Sequence, residues 1–88
     1  MSLNKHVILG IHITDRVHNV ASVQQILTEY GCSIRTRIGL HEADENFCSP
    51  NGVVILEMVG TDQTHDEMIA KLNALEGIEA KKMTFDHP

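Results

Sequence analysis

The chain has 88 residues, with 12 acidic against 7 basic side chains and a net charge of −5 at pH 7. With 3% aromatic residues and no Trp it lacks both the clustered cations that hold a phosphate backbone and the rings on which bases stack, so direct nucleic-acid binding is excluded. No apolar run approaches the ~20 residues that span a bilayer, and "MSLNKH" is not followed by the apolar segment of a secretory signal, so a cytoplasmic protein with no membrane partner is expected.

Residues 1–88 are expected to form one domain. A chain of this size buries only about 60–65% of its unfolded surface, so partner subunits would add stability. Two cysteines sixteen apart, with no C-x-x-C, give neither a zinc ribbon nor a dithiol redox motif. A disulfide between Cys32 and Cys48 is geometrically conceivable.

The first element is a strand over residues 6–13, "HVILGIHI". Val7, Leu9, Ile11 and Ile13 occupy one face and His6, Ile8, Gly10 and His12 the other. "TDR" breaks the run, and Thr14 or Asp15 can accept from the free N–H groups of a following helix. Residues 17–30 carry Val20, Val23, Leu27 and Tyr30 at helical spacing, with Ile26 beside them and Gly31 as the expected left-handed stop.

Alternation returns over residues 32–40, "CSIRTRIGL". Ile34, Thr36 and Ile38 are read toward the core, with Arg35 and Arg37 on an outer face. A polar loop follows, then "GVVILEMVG" over residues 52–60, apolar on both sides as a central strand is. The spacing of Thr64 and Glu67 reads as a capping box opening a second helix. Met68, Ile69, Leu72 and Leu75 form its apolar stripe, Glu67 and Lys71 an i,i+4 pair, and Gly77 its stop. "IEAKKMTF", residues 78–85, is the last strand, and its alternation slips at Lys81–Lys82 as a bulge would make it do.

The order β-α-β-β-α-β predicts an α+β, ferredoxin-like fold, a four-stranded antiparallel sheet with both helices on one face. Right-handed crossovers place strands one and three in the middle. Their uncovered side would then expose Ile8, Gly10, Val53, Ile55 and Val59. An apolar patch of that kind marks an association surface, and a homodimer or higher homo-oligomer is expected through it.

Three groups of residues are candidate sites. Arg35 and Arg37, with Gly39 following, could hold a small anion, since guanidinium groups grip carboxylate or phosphate bidentately; alternatively they are charges that protect an edge strand. His41, Glu42, Asp44, Glu45 and Cys48 supply imidazole, carboxylate and thiolate within eight residues, a candidate transition-metal site, although no standard ligand spacing is present and "SPNG" also reads as a plain turn. His6 and His12 flank the apolar patch, while His18, His65 and His87 are read as surface residues. No serine or cysteine has a general base at motif spacing and no glycine-rich phosphate loop occurs, so a non-enzyme is expected. Cys48 with His41 is the remaining nucleophile and base couple.

"HITDR" before an amphipathic helix, "RIGL", a polar loop with "EN", "VVILEMVGTD" and "LNALEGIEAKK" together resemble the small proteins called putative iron-only hydrogenase system regulators. The resemblance covers residues 6–83 and implies an ACT-like domain related in fold to the C-terminal domain of the nickel-responsive regulator. ACT domains bind small effectors at a subunit interface beside the first strand-helix loop, which implies Asp15 and Arg16 as ligand contacts. Val17–His18 stand where that class has Pro-Gly, so the close backbone approach that glycine permits is lost. The H-x-H metal pair of the nickel-regulator relatives is also missing. The resemblance thus implies a regulatory, small-ligand-sensing oligomer, against a metal sensor or a ligand-free oligomeric scaffold as the competing readings.

Overall fold

The computed structural model describes residues 5–14, 16–43 and 48–86, with side chains for 5–14, 21–39 and 52–86. In chain order the elements are β1 (Lys5–Ile13), α1 (Arg16–Glu29), a 3₁₀ turn (Gly31–Ser33), β2 (Ile34–Ala43), β3 (Cys48–Met58), α2 (Asp62–Asn73) and β4 (Ile78–Asp86). The strands form one antiparallel sheet in the order β2-β3-β1-β4, so β1 and β3 are central as the crossover rule requires. This is the ferredoxin-like βαββαβ arrangement. No described helix is long and apolar enough to cross a membrane.

Alternation in β1 translates directly into burial. Val7, Leu9, Ile11 and Ile13 are buried beneath the helices, facing Leu56 and Met58 of β3 and Ile78 and Ala80 of β4. Val23 and Leu27 of α1 and Met68 and Leu72 of α2 close the core from above. Each fully buried Leu contributes about 1.5–3 kcal/mol of apolar transfer free energy, so this one layer carries most of the fold's stability.

The structure corrects several sequence expectations. Gly31 does not stop α1 in a left-handed conformation; it opens the 3₁₀ turn, and positive φ occurs at Gly60 and Gly77 among the described glycines. The cap of the second helix lies three residues before the expected one. Thr61 is its N-cap, and its hydroxyl accepts from the Thr64 N–H at 3.2 Å. Lys71 pairs with Glu29 of α1 and lies over the Tyr30 ring, so it ties the two helices together rather than serving Glu67 within its own. Cys32 is an exposed free thiol in the structure.

The slip in β4 is not a bulge, for its pairing with β1 runs unbroken from Lys5↔Asp86 to Ile13↔Ile78. Lys82 lies on the helix side of the sheet, where it reaches Asp66 of α2 at 2.8 Å. A charged partner replaces an apolar one, and the strand stays regular. Asn73 protects the outer edge of β4: its side chain donates to the Ala80 carbonyl at 3.1 Å and accepts from the Ala80 N–H at 2.8 Å.

The bulge is in β2. Ile34 pairs with Met58 and Thr36 with Glu57, which leaves Arg35 as the extra residue. Thr36, Arg37 and Ile38 therefore lie on the faces opposite to those that alternation predicted. Ile38 stands opposite Ile55 on the uncovered face and is 50% exposed, whereas Arg37 stands opposite Leu56 on the helix side.

Candidate ligand strip and the open sheet face

The bulge at Arg35 shapes the first candidate site. Arg35 and Arg37 do not form a pair on one outer face. Arg37 and Gly39 take successive positions on the helix side of β2, opposite Leu56 and Val54, and His41 follows opposite Gly52. The helices pack mainly on the other strands, α1 on β3 and α2 on β4. Arg37 and Gly39 are accordingly exposed, and a Cβ at Gly39 would meet nothing within 4 Å. The result is an open strip on an edge strand beside α1, with a guanidinium and an accessible backbone.

The row through His41 continues across the sheet to Gly52, Ile13 and Ile78. It therefore points toward the end of β1, from which the chain enters α1 at Arg16. β3 separates the two edges of this region, so Arg16 and the β2 strip flank one end of the sheet without adjoining in the strand pairing. Asp15 lies outside the described residues, as do Asp44 and Glu45. His41 and Glu42 end β2 and Cys48 begins β3, with Ala43 paired to Cys48. Among the described residues no group of three metal-ligating side chains converges.

The sheet's open face is the second feature, and it is more extensive than alternation alone implied. Ile8, Gly10, Val53 and Ile55 are half-buried there, and Val59 is exposed just beyond β3. Ile38, Met83 and Phe85, each about half exposed, extend the patch to both edges. All three were missed: Ile38 because the bulge reversed its face, Met83 and Phe85 because a supposed bulge disrupted the reading of β4. His6 lies within 3.6 Å of Glu57, whose carboxylate also accepts from the Thr36 hydroxyl at 3.2 Å.

His65 is the polar residue that sequence reasoning misplaced. It is 1% exposed, beneath the start of α2, and its Nε2–H donates to the Val59 carbonyl at 2.8 Å. Nδ1 is buried without a hydrogen-bond partner among the described residues and stands 3.9 Å from Asp62 Oδ1. The signal was in the sequence, for His65, Met68 and Leu72 follow helical spacing on the same stripe. Around it lies a surface charge cluster. The Lys5 ammonium hydrogen-bonds Asp62 and holds its carboxyl below the usual range. The Asp66 hydrogen bond raises Lys82, and the Glu29 hydrogen bond raises Lys71.

Comparison with known proteins agrees with this architecture. The family model described as "TM1266-like: Iron-only hydrogenase system regulator, putative" matches residues 5–82. The structure of the uncharacterized protein TM1266 from Thermotoga maritima superposes with a TM-score of 0.80 at 23% identity, covering 93% of this chain and 99% of that one. The C-terminal domain of the MgtC protein from Mycobacterium tuberculosis gives 0.67 at 13% identity, over 96% and 90%. CPII, a nitrogen regulatory PII-like protein from Thiomonas intermedia K12 whose structure holds ADP, AMP and bicarbonate, gives 0.58 at 9% identity, over 96% of each chain. At these identities the superpositions establish the fold alone. No curated protein matches. The family model covers most of the chain, and the chain belongs to the TM1266-like iron-only hydrogenase system regulator family.

Proposed function

We propose that this chain is a non-enzymatic regulatory module of the cytoplasm that senses a small anionic ligand and works as a homo-oligomer. The observation that carries the reading is the uncovered strip of β2, where Arg37 and Gly39 are both exposed beside α1. A guanidinium supplies charge-assisted hydrogen bonds to a carboxylate or phosphate, and backbone without a side chain admits close approach. Arg35 precedes it on the bulge, and Asp15 and Arg16, implied by the family resemblance, are the further ligand contacts in this reading. Family membership supports the regulatory role, and the PII-like neighbour shows a protein of this fold holding adenine nucleotides and bicarbonate.

In this reading the ligand regulates by binding one arrangement of the oligomer better than another, since an effector shifts an equilibrium only by its differential affinity. Calorimetric titration with AMP, ADP, bicarbonate and a panel of amino acids tests it. Binding that Arg37→Ala weakens at least about tenfold is expected, the loss of one charged hydrogen-bonding group. Binding unaffected by Arg37→Ala, or none to any probe, contradicts the reading.

Metal sensing is the competing reading. What favours it is the pairing of Ala43 with Cys48, which gathers His41, Glu42 and Cys48 at one end of the β2–β3 hairpin. Nickel, cobalt or zinc retained after dialysis and lost in His41→Ala would select it. Neither ligand nor metal would leave an oligomeric scaffold.

A further inference from the structure

Gly10 lies in the interior of a central strand, where glycine weakens pairing by roughly 0.5–1 kcal/mol relative to alanine. Nothing inside the chain calls for it. Its backbone is not among those with positive φ, and a Cβ built on it meets nothing within 4 Å. A strand glycine of this kind marks close approach by something outside the chain.

The strand register defines what surrounds it. One row of the open face reads Ile38–Ile55–Gly10–Lys81 and the next Thr36–Glu57–Ile8–Met83, each across β2, β3, β1 and β4. The face therefore carries a shallow apolar notch at its centre, with Lys81 on one side, 3.6 Å from the exposed Glu79 of its own strand, and Glu57 one row along, beside His6 and Thr36. We propose that a second copy of this chain packs on this face, sheet to sheet, about a two-fold axis that runs diagonally across it near Gly10 toward Met83. It rests on the oligomer reading above and specifies its contact.

The charges select the axis. Lys81 lies one and a half strand spacings, about 7 Å, from the midline between β3 and β1. Glu57 lies one row, again about 7 Å, from the row that holds Lys81. A half-turn about that diagonal exchanges the two displacements, so Lys81 of each copy stands over Glu57 of the other. Ile55 of each copy then crosses beside the other's Gly10, where the missing side chain leaves room, and Met83 meets its own counterpart on the axis. The strands of the two copies cross near 90°, one of the two standard ways in which sheets stack. An apolar centre with two symmetric ion pairs at its border is self-complementary, as an isologous interface must be.

Sedimentation velocity of the full chain across the micromolar range tests this. Wild type is expected to dimerise. Gly10→Arg fills the notch and should raise the dissociation constant at least about tenfold, and Lys81→Glu should weaken it in the same direction by placing like charges together. The double variant Lys81→Glu/Glu57→Lys restores opposite charges and should return to within about threefold of wild type. A dimer that ignores Gly10→Arg, or a double variant no tighter than its parents, overturns this contact while leaving oligomerisation through another surface. A wild-type monomer throughout the range overturns both.

Discussion

His65 offers a prediction whose sign distinguishes packing from hydrogen bonding. Its ring is 1% exposed and, among the described residues, its Nε2–H donates to the Val59 carbonyl while Nδ1 has no hydrogen-bond partner. In His65→Ala the ring's volume is vacated next to Met68 and Leu72, and large-to-small changes of this kind cost about 2–4 kcal/mol. In His65→Leu the volume is largely refilled. The lost hydrogen bond costs roughly 0.5–1.5 kcal/mol, but removing an unsatisfied buried nitrogen recovers roughly 1–3 kcal/mol. His65→Leu should therefore remain within about 1 kcal/mol of wild type, and the two variants should differ by about 2–3 kcal/mol. At about 4–8 °C per kcal/mol for a domain of this size, that is a gap of roughly 10–20 °C in Tm. Urea unfolding of both variants, followed by circular dichroism, is the assay. If His65→Leu is as destabilised as His65→Ala, the Val59 bond rather than the filled volume holds the start of α2, and this account of the site is wrong.

Asn73→Ala removes both side-chain bonds to Ala80, so a loss of about 1–3 kcal/mol and faster amide exchange along β4 are expected, read by denaturant titration and hydrogen exchange. Asp62 is held below its ordinary value of 3.8 by Lys5, so its contribution to stability is present above the unfolded pKa and is lost as pH falls through the lower folded one. Asp62→Asn should therefore flatten the fall of Tm in the acid range below about pH 4, a change visible in melts run from neutral to acid pH. Lys82 has the opposite sign: raised above 10.5 by Asp66, its contribution is full below that value and lost as pH rises through the folded one, so Lys82→Gln should remove part of the alkaline loss. Arg37→Ala should leave stability within about 0.5 kcal/mol of wild type, as exposed substitutions do, while weakening ligand binding at least about tenfold.

Much of the fold is legible in residue period. β1 shows strict alternation, β3 is apolar on both sides, and Met68, Ile69, Leu72 and Leu75 repeat at helical spacing; these three patterns place the core and order the sheet. What period does not contain is register. A single extra residue at Arg35 reverses the faces of Arg37 and Ile38, and it is visible only once β3 is laid beside β2. Lys82 shows the converse. A charge on the inner face resembles a slip in the chain, yet Asp66 of α2 provides its partner without any bulge. The candidate strip was legible as residues, Arg37 and Gly39, but not as a surface, because their exposure depends on where α1 and α2 settle over the sheet.

Native mass spectrometry of the purified protein, wild type beside Arg37→Ala, tests the central claim most directly. The account predicts an even-numbered oligomer of the wild-type chain that takes up a small anionic ligand from the panel, and an Arg37→Ala oligomer of the same stoichiometry that does not. A wild-type monomer, or an oligomer whose ligand uptake survives Arg37→Ala, would contradict it.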